Sequence, residues 1–467
     1  MLIFMYSLAL ASPCPSGMLT VGTDATFPPF SSKVGEQYSG YEIELGGQVA
    51  QRLGCGITWV NSSFDGIFPA LLSGKFDAVI ASVTITEERR QSMLFSVPYM
   101  EAGQAIVQRD GDATILDIAG LKGKRVGVGL NTTGQYLLEP HPEVGLVKYP
   151  SVDLTLADLR AGRLDVVVGD RPVFAYMLQQ SFPDLKLGST TLNSESWGIV
   201  FAPERRDLKE AVDVALSGMA ADGSLRALEE KYLGTAAPST GAATGHFRLD
   251  RLLQSLPMLA LGARWTLLLS MSSFLCALPM ALLLALARGS RLALLRFPAA
   301  AWVELLRGTP LLVQVFFLYF VLPSFGISLA DTTTAVLALS INASAYISEI
   351  LRAALGSIDA GQSEAAAALG LSRVQVLRYV LVPQAFRRAL PPLTNEAIAL
   401  IKESSLVSVM GMTELTRTGQ ELSSRYADPL SIWPGVALTY FLMTLPLARL
   451  SAWLERRLSV GIRRAGV

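Results

Sequence analysis

The sequence predicts an α/β module over residues 18–235 followed by an all-α membrane domain over 250–467. Three observations predict it. Through Gly245 there are 19 Lys+Arg against 27 Asp+Glu, and after it 20 against 12, although the whole chain has a formal net charge of zero. An acidic part joined to a basic, apolar part suits two compartments. In the first part, "MLTVGTDATF", "FDAVIASVTI", "KRVGVGL" and "DVVVGD" are short β-branched runs, each beside a helical pattern, as in parallel-sheet proteins. In the second, no charge falls between Arg264 and Arg288, between Arg307 and Asp331, or between Asp428 and Arg449, and each interval has about the 20 residues a bilayer requires.

Taken in order, residues 1–17 read as a secretory signal segment. "MLIFMYSLALASP" has an apolar core and an Ala9-Leu10-Ala11 cleavage pattern but no basic leader, so the alternatives are a start further upstream or a buried strand. The module ends near Gly234. Residues 236–249, with "TAAPSTGAATG" running into them, form a polar linker of small residues. Five spans are expected, at about 262–287, 304–327, 332–352, 389–412 and 430–450. Arginines cluster in alternate connections: Arg288, Arg291, Arg296 and Arg307; Arg352, Arg373, Arg378, Arg387 and Arg388; and Arg449 to Arg464 at the C-terminus. The opposite connections hold only Arg417 and Arg425. The positive-inside rule then puts the module outside and the C-terminus in the cytoplasm, with a cytoplasmic loop at 353–388.

The three cysteines show no zinc or redox spacing, and a Cys14–Cys55 bridge is not expected. Only His141 and His246 are present, so no metal site is expected. No G-x-x-x-x-G-K-[ST] phosphate loop occurs, so ATP hydrolysis is not expected of this chain.

The loop sequence "EAAAALGLSRVQVLRYVLVPQAFRRALPPLTNE" resembles the EAA loop of ABC-importer permeases, here through Glu364, Ala365, Ala366, Gly370 and Val382-Pro383. "ELLRGTPLLVQVFF", "SAYISEILRAALGSI" and "IALIKESSLVSVMGMTELTRTGQ" extend the resemblance over most of 250–457, to the polar amino-acid uptake class. It implies a type I importer permease whose alanine-rich helix docks in a groove of an ATPase subunit. An alanine-rich helix has little side-chain bulk and high propensity, and Gly370 permits a sharp turn after it. Without its neighbours "EAAAALG" reads equally as a solvated surface helix. Charges in the fourth span should face the bundle interior. Glu396 and Glu403, seven apart on one helical face with Lys402 beside them, read either as part of a substrate path or as a structural ion pair.

The outer module resembles periplasmic amino-acid-binding proteins of the lysine/arginine/ornithine, histidine and glutamine types. "TDATFPPF", "GYEIEL", "SFDGIFPALLSGKFDAVIASVTITEERR", "GVGLNTTGQ" and "GRLDVVVGD" carry the resemblance. It implies a type II fold of two α/β lobes closing over the ligand about a hinge the chain crosses twice. By this resemblance Arg89, Ser82, Thr84 and Thr133 bind the ligand carboxylate, and Asp170 takes its α-ammonium. Phe27 and Phe64 enclose the side chain, and Asp24 accepts from a side-chain amine or amide. An amino acid losing water at both charges needs such partners, and the planar fork of arginine suits a carboxylate. Taken alone, Arg89 and Arg90 are a surface pair, Phe64 is core, and Asp170 could cap a helix beginning near Pro172.

The whole resemblance implies an amino-acid importer of the bacterial inner membrane, in which a binding protein and a permease are fused. A basic amino acid is the first-choice ligand and glutamine the second. The expected partners are the ligand, the lipid bilayer, a second permease copy and a cytoplasmic ABC ATPase dimer holding ATP and magnesium. This chain would hold no cofactor and bind no nucleic acid. The alternative, a ligand-gated amino-acid receptor, would need a pore segment interrupting the module.

Overall fold

The computed structural model describes Cys14, residues 17–233, 247–327, 329–426 and 428–459. Most of the expected signal segment and linker lies outside these residues. The chain divides into two units, Met1–Ser255 with Gly419–Trp433, and Leu256–Thr418 with Pro434–Val467.

The first unit contains two five-stranded sheets. The first sheet holds β1 (Met18–Thr23), β2 (Gly56–Asn61), β3 (Ala78–Val79) and β4 (Leu94–Phe95). The chain then passes through β5 (Met100–Ala102) into a second sheet of β6 (Gln104–Arg109), β7 (Arg125–Gly129), β8 (Gly145–Tyr149), β9 (Val166–Asp170) and β10 (Leu185–Thr191). It returns through β11 (Glu195–Trp197) and closes the first sheet with β12 (Val200–Phe201). The strand orders are β2-β1-β3-β12-β4 and β8-β7-β9-β6-β10. In each sheet β-branched runs joined by helices pair in parallel, β1 with β2 and β7 with β8, while the returning strands pair antiparallel. The two crossings, β5 and β11, pair antiparallel with Glu195 opposite Ala102 and Trp197 opposite Met100. The expected two lobes with a double-crossing hinge are what this topology describes.

Trp197 of the hinge is fully buried, with its ring edge-on to Phe30 at 4.9 Å. Beside it the buried carboxylate of Glu42 accepts hydrogen bonds from the Ser82 amide (2.6 Å), the Ser82 hydroxyl (2.9 Å), the Tyr99 phenol (2.5 Å) and the Ser31 hydroxyl (3.1 Å). Burial raises its pKa and these donors lower it. Within the same unit, Asn61, Asp153 and Ser181 hydrogen-bond Glu421, Ser423 and the Tyr426 carbonyl.

A disulfide joins Cys14 to Cys55, with the Cα atoms 6.3 Å apart, correcting the expectation of no bridge. The two cysteines precede β1 and β2, which are parallel neighbours beginning with Met18 opposite Gly56. Strand adjacency, which spacing along the chain does not reveal, brings them together.

Among the described residues three helices are long and apolar enough to cross a membrane: Leu249–Arg288, Asp331–Gly356 and Pro429–Leu458. A fourth span exists if Ala293–Gly308 and Leu311–Val321, which meet at 107°, count as one. The bend falls at Thr309-Pro310, inside the expected span 304–327, because Pro310 offers no amide to continue the first helix. The expected span 389–412 is helical only as Val382–Glu403, followed by a 3-10 turn Ser404–Met410. Arg387, Arg388 and Glu396 fall within every stretch of it long enough to span, which makes it more polar than the others. Among the described residues the count from helix length and composition is therefore three or four, against the five expected. Small residues line the buried side of Asp331–Gly356, among them Ala338, Ser340, Ala343, Ser344 and Ala345, as helices packing closely in lipid require. Glu349 receives Arg288, Arg352 (2.8 Å) and Arg307 (3.9 Å).

Candidate ligand-binding site

The first lobe contributes a segment following β3. Ser82 adopts φ +51°, a left-handed conformation uncommon for a side-chain-bearing residue, held by the two bonds it gives Glu42. Two residues on, Thr84 forms a bridge to Trp197 of the hinge. Thr86 then caps the short helix Glu87–Arg90, accepting the Arg89 amide at 3.2 Å. That turn sends Arg89 inward and leaves Arg90 exposed. The Arg89 guanidinium donates to the Thr84 carbonyl at 3.0 Å and lies 5.2 Å from the Phe68 ring centroid and 5.9 Å from that of Phe64. Burial lowers its pKa, but a guanidinium stays charged.

The second lobe contributes Thr133, the first residue of helix Thr133–Leu138, and Asp170, the last of β9. Asp170 holds the N-cap position of helix Arg171–Ser181 but makes no side-chain cap bond. Its carboxylate instead accepts from the Gln104 amide at 2.8 Å. The same amide nitrogen lies 3.0 Å from the Thr133 hydroxyl and 3.3 Å from Glu195. Gln104 is fully buried, and a Cβ on Gly134 would stand 2.6 Å from its Oε1. A side chain on residue 134 would therefore push the Gln104 amide aside.

Glu195, at the start of hinge strand β11, completes the cluster. Its Oε2 accepts from the Thr84 hydroxyl at 3.0 Å and the Thr133 hydroxyl at 2.8 Å, and its Oε1 accepts from Asn193 at 2.6 Å. Across the same cleft, Asn131 donates to Asp65 at 3.1 Å. Burial, and then the charge of Glu195, push the Asp170 carboxyl up to about 7, while Gln104 and Arg89 act in the other direction.

Of the residues singled out in sequence, Thr84, Arg89, Thr133 and Asp170 converge. Phe64 stands against Phe68 at 5.4 Å, and Phe27 against Phe30 at 6.1 Å, both half-buried. Ser82 and Asp24 are turned elsewhere. The Ser82 hydroxyl is committed to Glu42. Asp24 accepts from the Thr26 amide and hydroxyl (3.1 and 2.7 Å) and from the Phe64 amide (2.9 Å), so it fastens together the two loops that carry Phe27 and Phe64. Gln104, Glu195 and Glu42 were not singled out. A guanidinium with two hydroxyls can hold a carboxylate, and Asp170 can take an ammonium.

In the second unit, Glu364 and Ala365 are exposed on helix Ala360–Ala368, while Ala366 is buried. Gly370 follows with φ +81°, and Pro383 sits in the first turn of Val382–Glu403. Among the described residues no salt bridge joins Lys402 to Glu396 or Glu403, and Glu403 Oε2 is buried without a hydrogen-bond partner.

A two-lobed α/β module with a charged cleft, joined to a bundle of apolar helices, defines the class: a solute-binding part fused to a membrane transport part. Residues 19–235 match the bacterial extracellular solute-binding proteins, family 3, and residues 277–460 match the binding-protein-dependent transport system inner membrane component. The glutamine transport system permease protein GlnP of Escherichia coli (strain K12) is 43% identical over 208 residues, 44% of this chain and 95% of the relative. The L-cystine-binding protein TcyJ of the same strain is 34% identical over 221 residues, 47% of this chain and 83% of the relative. A solved ancestral arginine-binding protein bound to glutamine is 40% identical, covering 47% of this chain and 99% of that one, with a TM-score of 0.44. The chain belongs to the amino-acid ABC transporters, as a family 3 solute-binding domain fused to an inner membrane permease domain.

Proposed function

We propose that the chain captures a basic amino acid between its two lobes and imports it through its permease part, driven by a separate ABC ATPase. The observation that carries the choice of ligand is the charge of the cleft. Two carboxylates, Asp170 and Glu195, face one guanidinium, Arg89. A neutral amino acid leaves that surplus negative charge in place as the lobes exclude water, whereas a cationic side chain offsets it. Phe64 and Phe27 would then enclose the aliphatic stem and add cation–π attraction of about 0.5–2 kcal/mol. Glutamine is the second choice, supported by what the GlnP relative is named for, and cystine enters as a comparator through TcyJ.

The module lies outside the membrane and the C-terminus inside. Arg288, Arg307 and Arg352, from three helices, meet on Glu349, as residues sharing one side of the membrane would. The disulfide suits an oxidising exterior. Val382–Met410 serves as the polar fourth of five spans and places Glu396 and Glu403 along the substrate path. Helix Ala360–Ala368 and Gly370 dock in the ATPase, and the exposed apolar side chains of Leu369, Val374 and Tyr379 beside them fit a covered surface. The permease works as a homodimer with two ATPase subunits, which hold the ATP and magnesium. A ligand-gated receptor has no observation in its favour.

The test is calorimetric titration of the full chain in lipid nanodiscs with the twenty amino acids, ornithine and cystine, beside Arg89→Ala. Arginine, lysine, ornithine or histidine should bind at least about tenfold tighter than glutamine or cystine, a gap of about 1.4 kcal/mol, and Arg89→Ala should lose the binding. Tighter binding of glutamine would refute the basic assignment. Binding of no amino acid would refute capture altogether.

A further inference from the structure

Glu195 sits where the proposed ligand carboxylate belongs. Its Oε2 takes a hydrogen bond from Thr84 of the first lobe and another from Thr133 of the second. Both hydroxyls come from the set that, with Arg89, would hold an incoming carboxylate. Glu195 belongs to neither sheet: it starts the return strand of the hinge, opposite Ala102. A side chain there can reach both lobes only when they are close together. Its second oxygen is fixed by Asn193 at 2.6 Å, two residues before it on the same crossing. A carboxylate with four well-placed bonds, counting the 3.3 Å approach of Gln104, is not a loose side chain.

Two carboxylates cannot accept from the same two hydroxyls, and their charges repel at that distance. We infer that Glu195 is a resident carboxylate which latches the empty cleft by occupying the place of the ligand's carboxylate, and which every ligand has to displace. It therefore sets affinity and works against acidic amino acids, whose second carboxylate would meet the one just displaced. The inference rests on the proposed carboxylate site of Arg89, Thr84 and Thr133.

The consequence has a definite sign. A latched molecule cannot bind, so the apparent dissociation constant is the intrinsic one divided by the unlatched fraction. If nine molecules in ten are latched, removing the latch tightens binding about tenfold. A residue that instead served the ligand's ammonium would give the opposite result.

Two measurements on the full chain in nanodiscs decide it. In a Cys276→Ser background with the Cys14–Cys55 bridge kept oxidised, spin labels at Leu72→Cys in the first lobe and Lys122→Cys in the second report lobe separation by pulsed electron resonance. Without ligand, Glu195→Ala should widen the distance distribution, and Glu195→Gln, which keeps an acceptor oxygen, should lie between it and wild type. With glutamine, whose side chain carries no charge for Glu195 to attract, both variants should bind more tightly than wild type. Superimposable ligand-free distributions, or weaker binding in either variant, would overturn the inference. The distance measurement needs no ligand, so it decides the latch even if no amino acid binds, a result that would instead count against the capture site.

Discussion

Acidification should loosen capture, and Asp170 sets the amount. In the ligand-free cleft its carboxyl is pushed up to about 7 by burial and by the charge of Glu195. A bound ammonium needs the carboxylate form and pulls that pKa down. The ligand-bound protein therefore holds fewer protons than the free one at any pH between the two values, and by linkage affinity falls as pH falls through that window. From pH 8 to pH 5 the span below 7 is two units, so the dissociation constant should rise by up to about 100-fold, tenfold per unit. Calorimetry at pH 5, 6, 7 and 8, in buffers of differing ionisation enthalpy, measures both the affinity and the protons released. Release should approach one per ligand near pH 5.5 and vanish at pH 8. The groups facing Asp170 are Gln104, Glu195 and Arg89. Asp170→Asn should abolish the slope and lose most of the affinity. A dissociation constant changing less than about threefold across the range would refute the assignment of Asp170 to the ammonium.

Three further outcomes follow from particular contacts. Cys14→Ser should lower stability by about 4 kcal/mol at most, since the bridge closes a 41-residue separation, read as a fall in the urea midpoint that reductant reproduces in wild type. Gly134→Ala forces a Cβ to within 2.6 Å of Gln104 Oε1. It should displace the amide that holds Asp170 and Thr133 and weaken ligand binding about tenfold or more; unchanged affinity would show that Gln104 does not position them. Glu364→Lys should abolish ATP-dependent uptake in vesicles supplied with the ATPase and leave calorimetric ligand affinity intact. Normal uptake would remove Glu364 from the coupling surface.

The parts of the fold that local pattern can carry were legible. Short β-branched runs marked the strands, and charge-free intervals marked helices Leu249–Arg288 and Pro429–Ser459. What depended on three-dimensional adjacency was not. Cys14 and Cys55 meet only because β1 and β2 are neighbours. The bend at Thr309-Pro310 interrupts an apolar run that hydropathy reads as continuous. In the site, Arg89 and Asp170 stood in motifs with a chemical pattern, but Glu195 and Gln104 are single polar residues at the edges of ordinary strands. They lie 91 residues apart, and the Thr84, Thr133 and Asp170 side chains they bond are also far from them in the chain, so nothing local marks them. Asp24 and Ser82 stood in the right motifs, yet Asp24 is bound to Thr26 and to the distant Phe64 amide, and Ser82 to the Glu42 network.

That network has a consequence for the timing of capture. Glu42 ties Ser82, beside the site, to Tyr99, the residue just before the first hinge strand, so the first lobe's half of the site keeps its shape whether the cleft is open or shut. Thr133 and Asp170 arrive only with the second lobe. Encounter is then governed by Arg89 and Thr84, and escape by Thr133 and Asp170. Substitutions on the first lobe should slow association, while those on the second should shorten the lifetime of the complex with little change in how fast it forms.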